Sequence, residues 1–236
     1  MRLFELAYTC PLYAAFTDFD KARKEFHRVT SPTFDLRIEA HRYALLVWLN
    51  SWGCRQFERR NHAMAAEELR NWAEEHVGRL PSPDKSLAQI TDAEIGWAAE
   101  DYSDLKRRPA SVRDAGSRST PVTFGPTGAA KVLYAVRPNV FPPWDDPIRK
   151  HLGYDGSPEA YRQFLDSVRQ QVRQLEQEAV ALGIAASEIP RLVGRPDSSL
   201  PKLVDEFYWV TITKRCLPPG QAELERLVRW ASHDRG

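Results

Sequence analysis

The sequence predicts an all-α protein, and three observations carry that prediction. Apolar residues recur at steps of three and four through most of the 236 residues. Strand-like alternation is scarce. The main exception, Val210-Thr211-Ile212-Thr213-Lys214, sits inside a wider helical pattern of Leu203, Phe207, Val210 and Lys214. Glycine, proline and capping residues mark the ends of the periodic segments.

Taken in order, residues 18–28 read as a short amphipathic helix. Residues 35–51 read as a richer one, because Leu36, Ile38, Tyr43, Leu46, Val47 and Leu49 leave little room for a polar face; it is expected to be central and to end at Gly53. A further helix runs to about His76, and the turn-rich stretch 78–90, with two prolines, connects it onward. Thr91 opens the next helix with Glu94 placed for a capping box, and that helix fades at Arg108-Pro109. Residues 109–125 read as loop or weak helix. A helix is expected over 127–137 and a turn over Asn139–Pro143. A short helix follows, capped by Asp145 or Asp146, with Pro147 at its start and Gly153 past its end. Ser157-Pro158 starts the longest helix, 158–182, whose stripe Tyr161, Phe164, Val168, Val172, Leu175, Ala179 and Leu182 is expected in the core, and Gly183 stops it. Helices over 199–216 and 220–232 complete the reading.

Composition is that of an ordinary globular chain, 42% hydrophobic and 28% charged. No apolar run approaches the length of about 20 residues that spans a bilayer. The opening Met1–Phe16 lacks a signal-peptide layout because Glu5 interrupts it. A cytoplasmic, monomeric protein without membrane contact is expected. The three cysteines, Cys10, Cys54 and Cys216, form no C-x-x-C pair, and the six histidines have no metal-ligand spacing. No cofactor or metal is expected. The formal net charge is only +1, yet Lys106, Arg107, Arg108, Arg113 and Arg118 crowd one stretch, and Arg149 and Lys150 follow. Such a run is either a solvated face or a surface that meets phosphates.

The segment that carries chemistry is 123–153. It holds a glycine pair, Gly125 and Gly128, around Pro126 and Thr127, then an apolar helix containing Lys131, then a turn stiffened by Pro142 and Pro143 that ends in Trp144-Asp145. Glycines let backbone N–H groups approach a phosphate, and the helix start adds a favourable dipole. The stiff turn would hold one carboxylate in place.

This stretch resembles the helix-hairpin-helix DNA glycosylase superfamily, over about 30 residues. There a hairpin of the form G-[VI]-G-x-K-T-A precedes an apolar helix, and a turn then presents the catalytic aspartate. Gly125–Ala129 falls at the hairpin, Phe141–Asp145 at the turn, and Ile148, Lys150, Leu152 and Gly153 fit the helix beyond. Thr127 occupies the slot where bifunctional members carry lysine, and Asp146-Pro147 replaces Thr-His. Residues 1–236 are expected to form a single compact helical unit, and the resemblance implies two lobes within it, 1–108 and 109–236, making a helical bundle with a helix-hairpin-helix element at 123–153 and a central cleft. It implies a monofunctional DNA N-glycosylase that flips out a damaged or modified base, such as a modified base of phage DNA, and leaves an abasic site. Double-stranded DNA would be held by Gly125, Thr127, Gly128, Arg107, Arg108, Arg149 and Lys150. Asp145 would be catalytic, or merely a helix cap. Lys131 is a solvated or phosphate-bound residue, or else a nucleophile. Asp205 is a second acid, or part of a solvated face. Trp144, Trp209 and Tyr208 line the base pocket, or pack in the core. A catalytically silent DNA-binding module and a helical protein–protein adaptor are the alternatives.

Overall fold

In the computed structural model, residues 1–57, 59–115, 118–220, 222–226 and 229 are described. Among these, the α-helices α1 to α10, a further helical stretch at 222–226 and one two-stranded ribbon build the protein. None of the helices is long and apolar enough to cross a membrane.

The chain begins with α1 (Leu3–Phe16) and α2 (Phe19–Thr30). The first was not marked as helix by its sequence and carries Pro11 inside it. Its buried residues Leu6, Cys10 and Tyr13 nonetheless share one face at steps of four and three. In α2, Phe19, Arg23, Phe26 and Thr30 do the same. The apolar helix expected over 35–51 is α3 (Glu39–Ser51), which buries His41, Arg42, Leu45, Leu46, Trp48 and Leu49. α4 (His62–His76) follows. α5 (Asp92–Arg107) starts with the expected capping box: the Thr91 amide donates to Glu94 Oε2 at 2.8 Å, and the Glu94 amide donates to Thr91 Oγ1 at 3.2 Å.

Residues 109–125, expected as loop or weak helix, instead form β1 (Pro109–Ala115) and β2 (Arg118–Thr123). They pair antiparallel from Pro109↔Thr123 to Ala115↔Arg118, with one irregularity between Pro109 and Ser111. The β-branched residues Val112, Thr120, Val122 and Thr123 favour extended backbone, and Ala110 and Ser111 anchor the ribbon by burial. The expectation failed because these residues are individually weak signals, and the ribbon owes its order to its packing against α4.

α6 (Gly125–Val136) leaves directly from β2, with Gly125 at φ +67° and Pro126 in the first turn. Every residue from Gly128 to Tyr134 is buried, as an all-round apolar helix requires. A turn then leads to α7 (Asp146–His151). The amides of Val140 and Phe141 both donate to the Arg137 carbonyl, at 2.9 and 3.0 Å, and tighten that turn. α8 (Pro158–Ala181) is capped by Ser157 and buries the predicted stripe from Tyr161 to Ala179. Leu182 departs from it and lies exposed beyond the helix end. After the single turn α9 (Ile189–Leu192), α10 (Leu200–Tyr208) runs into a wider helical turn, Trp209–Thr213, so the alternating stretch is helical from Val210 to Thr213 as its flanks implied, and the helix expected to reach 216 ends at Lys214. Residues 222–226 are helical; the rest of the helix expected over 220–232 falls largely outside the described residues. One connected cluster of buried apolar side chains joins α1 to α10.

Trp144 belongs to that cluster and is fully buried. It stacks on Phe164 at 5.0 Å between centroids and meets Tyr102, Tyr154 and Tyr161. Of the two readings for Trp144, core packing is the one its burial supports. Trp144→Ala should cost about 3–5 kcal/mol of unfolding free energy in urea titrations. A cost below about 1 kcal/mol would contradict this packing role.

Candidate functional site

The site starts from a lysine that has no access to water. Lys131 sits in the middle of α6 with 2% of its side chain exposed. Its ammonium donates to Asp145 Oδ1 at 2.8 Å and to the Trp52 carbonyl at 2.7 Å, and lies 4.2 Å from the centre of the Trp52 ring. An isolated ammonium there would cost several kcal/mol, so the carboxylate is structurally required. Asp145 occupies the N-cap position of α7, but its side chain makes no capping bond. The capping alternative is therefore unused, and the carboxylate is turned to Lys131. Asp146 pairs instead with Arg149 and Lys150.

A second buried charge group comes from α10. Residues 202, 205 and 206 share one helix face by their i, i+3, i+4 spacing. The fully buried Lys202 donates to Asp205 Oδ2 at 2.7 Å and lies 3.7 Å from Glu206. Glu206 accepts two bonds from Arg195, at 3.0 and 2.9 Å, and Arg195 also pairs with Asp20 of α2. The Lys202 ammonium stands 4.1 Å from the Tyr13 ring centre, 4.4 Å from Phe19 and 5.6 Å from Trp52. Burial works against its charge, but Asp205 and Glu206 hold its pKa well above the usual lysine value. Burial pushes the Asp205 carboxyl up to about 6; Lys202 opposes this and the Asp145 charge adds to it. Asp205 Oδ1 is buried without a hydrogen-bond partner.

These aromatic residues bound a cavity of about 400 Å³. Tyr13, Phe19, Trp48, Trp52 and Trp209 line it, together with Asp145. Trp48 stacks on Trp52 at 5.4 Å, Phe19 tilts against Trp52 at 4.7 Å, and Tyr13 meets Trp209 edge-on at 5.2 Å. Size and lining suit a flat, apolar-faced ligand carrying a polar edge. The next residue, Asp146, lines a different cavity of about 530 Å³, along with Gly125, Pro126 and Thr127 at the start of α6.

The structure thus brings Asp145, Lys131 and Trp209 to one place, with Asp205 behind its aromatic wall. It places the other expected residues elsewhere. Tyr208 accepts a hydrogen bond from Gln171 of α8 and does not line the cavity. Arg108 is largely buried and held by Asp104, Glu75 and Glu68, because its helix end packs beside α4. Arg107 lies in another cleft beside Glu100 and Glu159. Lys150 is exposed and paired with Asp146. Gly128 faces protein: a Cβ there would lie 2.9 Å from Gln56 Nε2 and 3.3 Å from the Phe57 ring, so its smallness serves packing. The side chain of Arg118 falls outside the described residues.

Sequence reasoning missed Lys202, Tyr13, Phe19, Trp48 and Trp52 as site residues. One signal was available for Lys202: it and the two acids beyond it are the charged residues of an otherwise apolar helix, and a buried ammonium must find a carboxylate. No family model matches the chain, and neither does any curated protein or solved structure.

The raised Asp205 carboxyl has a definite sign. Between the unfolded value near 3.9 and the folded value of about 6, the native state binds the extra proton. This group's contribution to stability is therefore greatest at low pH, declines as pH rises from about 4 to about 6, and is flat above. Carboxyl NMR of the folded protein should show Asp205 titrating near pH 6, and Asp205→Asn should remove that component from the pH dependence of unfolding. A midpoint below about 4 would contradict the buried geometry.

Proposed function

We propose that this protein hydrolyses the N-glycosidic bond of a damaged or modified nucleotide flipped out of duplex DNA. The base enters the aromatic cavity and Asp145 faces the sugar. One observation carries the reading: a carboxylate fixed by a buried lysine, and not spent on capping its helix, lines a cavity walled by five aromatic rings. Aromatic faces stack on any base, and the glycosidic bond of a stacked, paired nucleotide is out of reach until the nucleotide is extruded.

The chemistry follows from charge. As the bond between C1′ and the base nitrogen breaks, its electron pair leaves with the base and positive charge develops on the sugar. The ionised Asp145 stabilises that charge. Water then adds to C1′, and its proton passes by way of the carboxylate to the departing base, leaving an abasic site, a neutral free base and Asp145 ionised again. Lys131 is a positioning residue in this scheme. Its ammonium is engaged by Asp145, the Trp52 carbonyl and the Trp52 ring, which supports a water nucleophile over an amine. The Thr127 that stands in the lysine slot of the glycosylase resemblance agrees with this.

The decisive substitution is Asp145→Asn. It keeps the shape and removes the charge that balances Lys131, so it should destabilise the fold by about 3–5 kcal/mol as well as slow excision at least about 100-fold. Lys131→Met combined with Asp145→Asn should recover much of the stability and none of the activity, while Asp146→Asn should keep most activity. The measurement is base release from duplexes carrying alkylated, oxidised, deaminated or hypermodified bases. Full activity in the double variant would overturn the catalytic assignment, and a borohydride-trapped adduct absent from Lys131→Ala would overturn the water mechanism.

A further inference from the structure

The 530 Å³ cavity beside Asp146 has a composition that the aromatic pocket does not explain. Four arginines line it: Arg55 from the α3–α4 connection, Arg60 from the short turn Arg59–Asn61, Arg113 from β1 and Arg149 from α7. Among the described lining residues the one carboxylate is Asp146, already paired with Arg149 and Lys150. Four arginines from four separate elements thus line one concave surface. A solvated helix face would draw its charges from a single element. Arg55 and Arg113 are exposed and have no carboxylate partner among the described residues, and Arg149 Nε is buried with no acceptor. The remaining polar lining includes Asn61 and the hydroxyl of Thr127, at the start of α6, where the helix dipole favours an anion.

We propose that this arginine-lined groove is the track for the sugar–phosphate backbone of a nucleic acid. The ligand chemistry is the phosphodiester: planar guanidiniums bind its oxygens in pairs, and the concave, four-sided arrangement fits a chain of anions. The choice of nucleic acid over another polyanion rests on the function proposed above, through one geometric link. Asp146 lines the groove and Asp145 lines the aromatic cavity. Their Cα atoms are neighbours in the chain, about 3.8 Å apart. A strand seated in the groove therefore has a nucleotide within reach of the cavity. The groove also redraws the expected contact surface: Arg149, Gly125 and Thr127 lie on it, Arg113 joins from the basic stretch, and Arg107, Arg108 and Lys150 do not line it.

Fluorescence anisotropy of a short labelled duplex, measured from about 50 to about 200 mM salt, tests the track, since each phosphate contact contributes a slope of about one in log affinity against log salt. Arg55→Ala with Arg113→Ala, both at exposed positions, should lower the slope by about two and weaken binding at least tenfold at low salt. Arg107→Ala and Arg162→Ala, from the cleft beside α5, should leave slope and affinity unchanged. Equal slopes for the parent and the groove variant, or no duplex binding by the parent, would overturn the proposal; so would competition by poly-glutamate as strong as by unlabelled duplex. Groove-dependent binding with no excision of any base would sink the glycosidic reading alone. Excision with a slope insensitive to Arg55 and Arg113 would sink this one alone.

Discussion

Two lysine ammonium groups, Lys131 and Lys202, are taken out of water in the interior of a helical protein, and the rest of the site is arranged around neutralising them. Each has a carboxylate at hydrogen-bond distance, Asp145 for one and Asp205 for the other. Neither charge could be buried alone, since an unpaired ion in such a place is worth several kcal/mol against folding. The constraint reaches well beyond the two pairs. It fixes the turn between α6 and α7, because Asp145 must meet Lys131. It also fixes the rotation of α10 against α1 and α2, because Lys202 is enclosed by Tyr13 and Phe19 as well as by Asp205 and Glu206. Arg195 and Asp20 extend the same network to α2.

The chemistry of the site is a consequence of that arrangement. The rings that flank the two buried cations, Tyr13, Phe19 and Trp52, also form the wall of the cavity. Asp145 and Asp205 share this neighbourhood, yet their environments differ. Asp145 is partly open to the cavity and paired with one lysine; Asp205 is enclosed and shifted upward. The consecutive residues Asp145 and Asp146 then divide the labour in space, one facing an aromatic pocket and the other a cationic groove.

Much of the fold was legible because its signals are local. The Thr91–Glu94 cap and the α8 stripe are each written within a few turns of helix; the cap appears as read, and the stripe does as far as Ala179. The β1–β2 ribbon was not legible, since its short alternation is ordered by packing against α4. Lys131 and Asp145 could be singled out because an isolated lysine in an apolar helix and a stiff turn stand out in sequence. The partners Tyr13, Phe19, Trp48 and Trp52 could not, as they reach the site from helices about eighty or more residues away, where aromatic residues read only as core. Trp144 shows the converse: adjacent to Asp145 in the chain, it points into the core and packs on Phe164.

The central claim is that Asp145 stabilises a positive charge where a nucleotide sugar would sit. The most direct measurement compares two duplexes that differ at one position, a cationic pyrrolidine in place of the sugar ring and its uncharged tetrahydrofuran counterpart. A site complementary to the transition state should bind the cationic duplex at least about 100-fold more tightly, and the preference should vanish in the Lys131→Met, Asp145→Asn double variant. Equal affinity for the two duplexes would contradict the account.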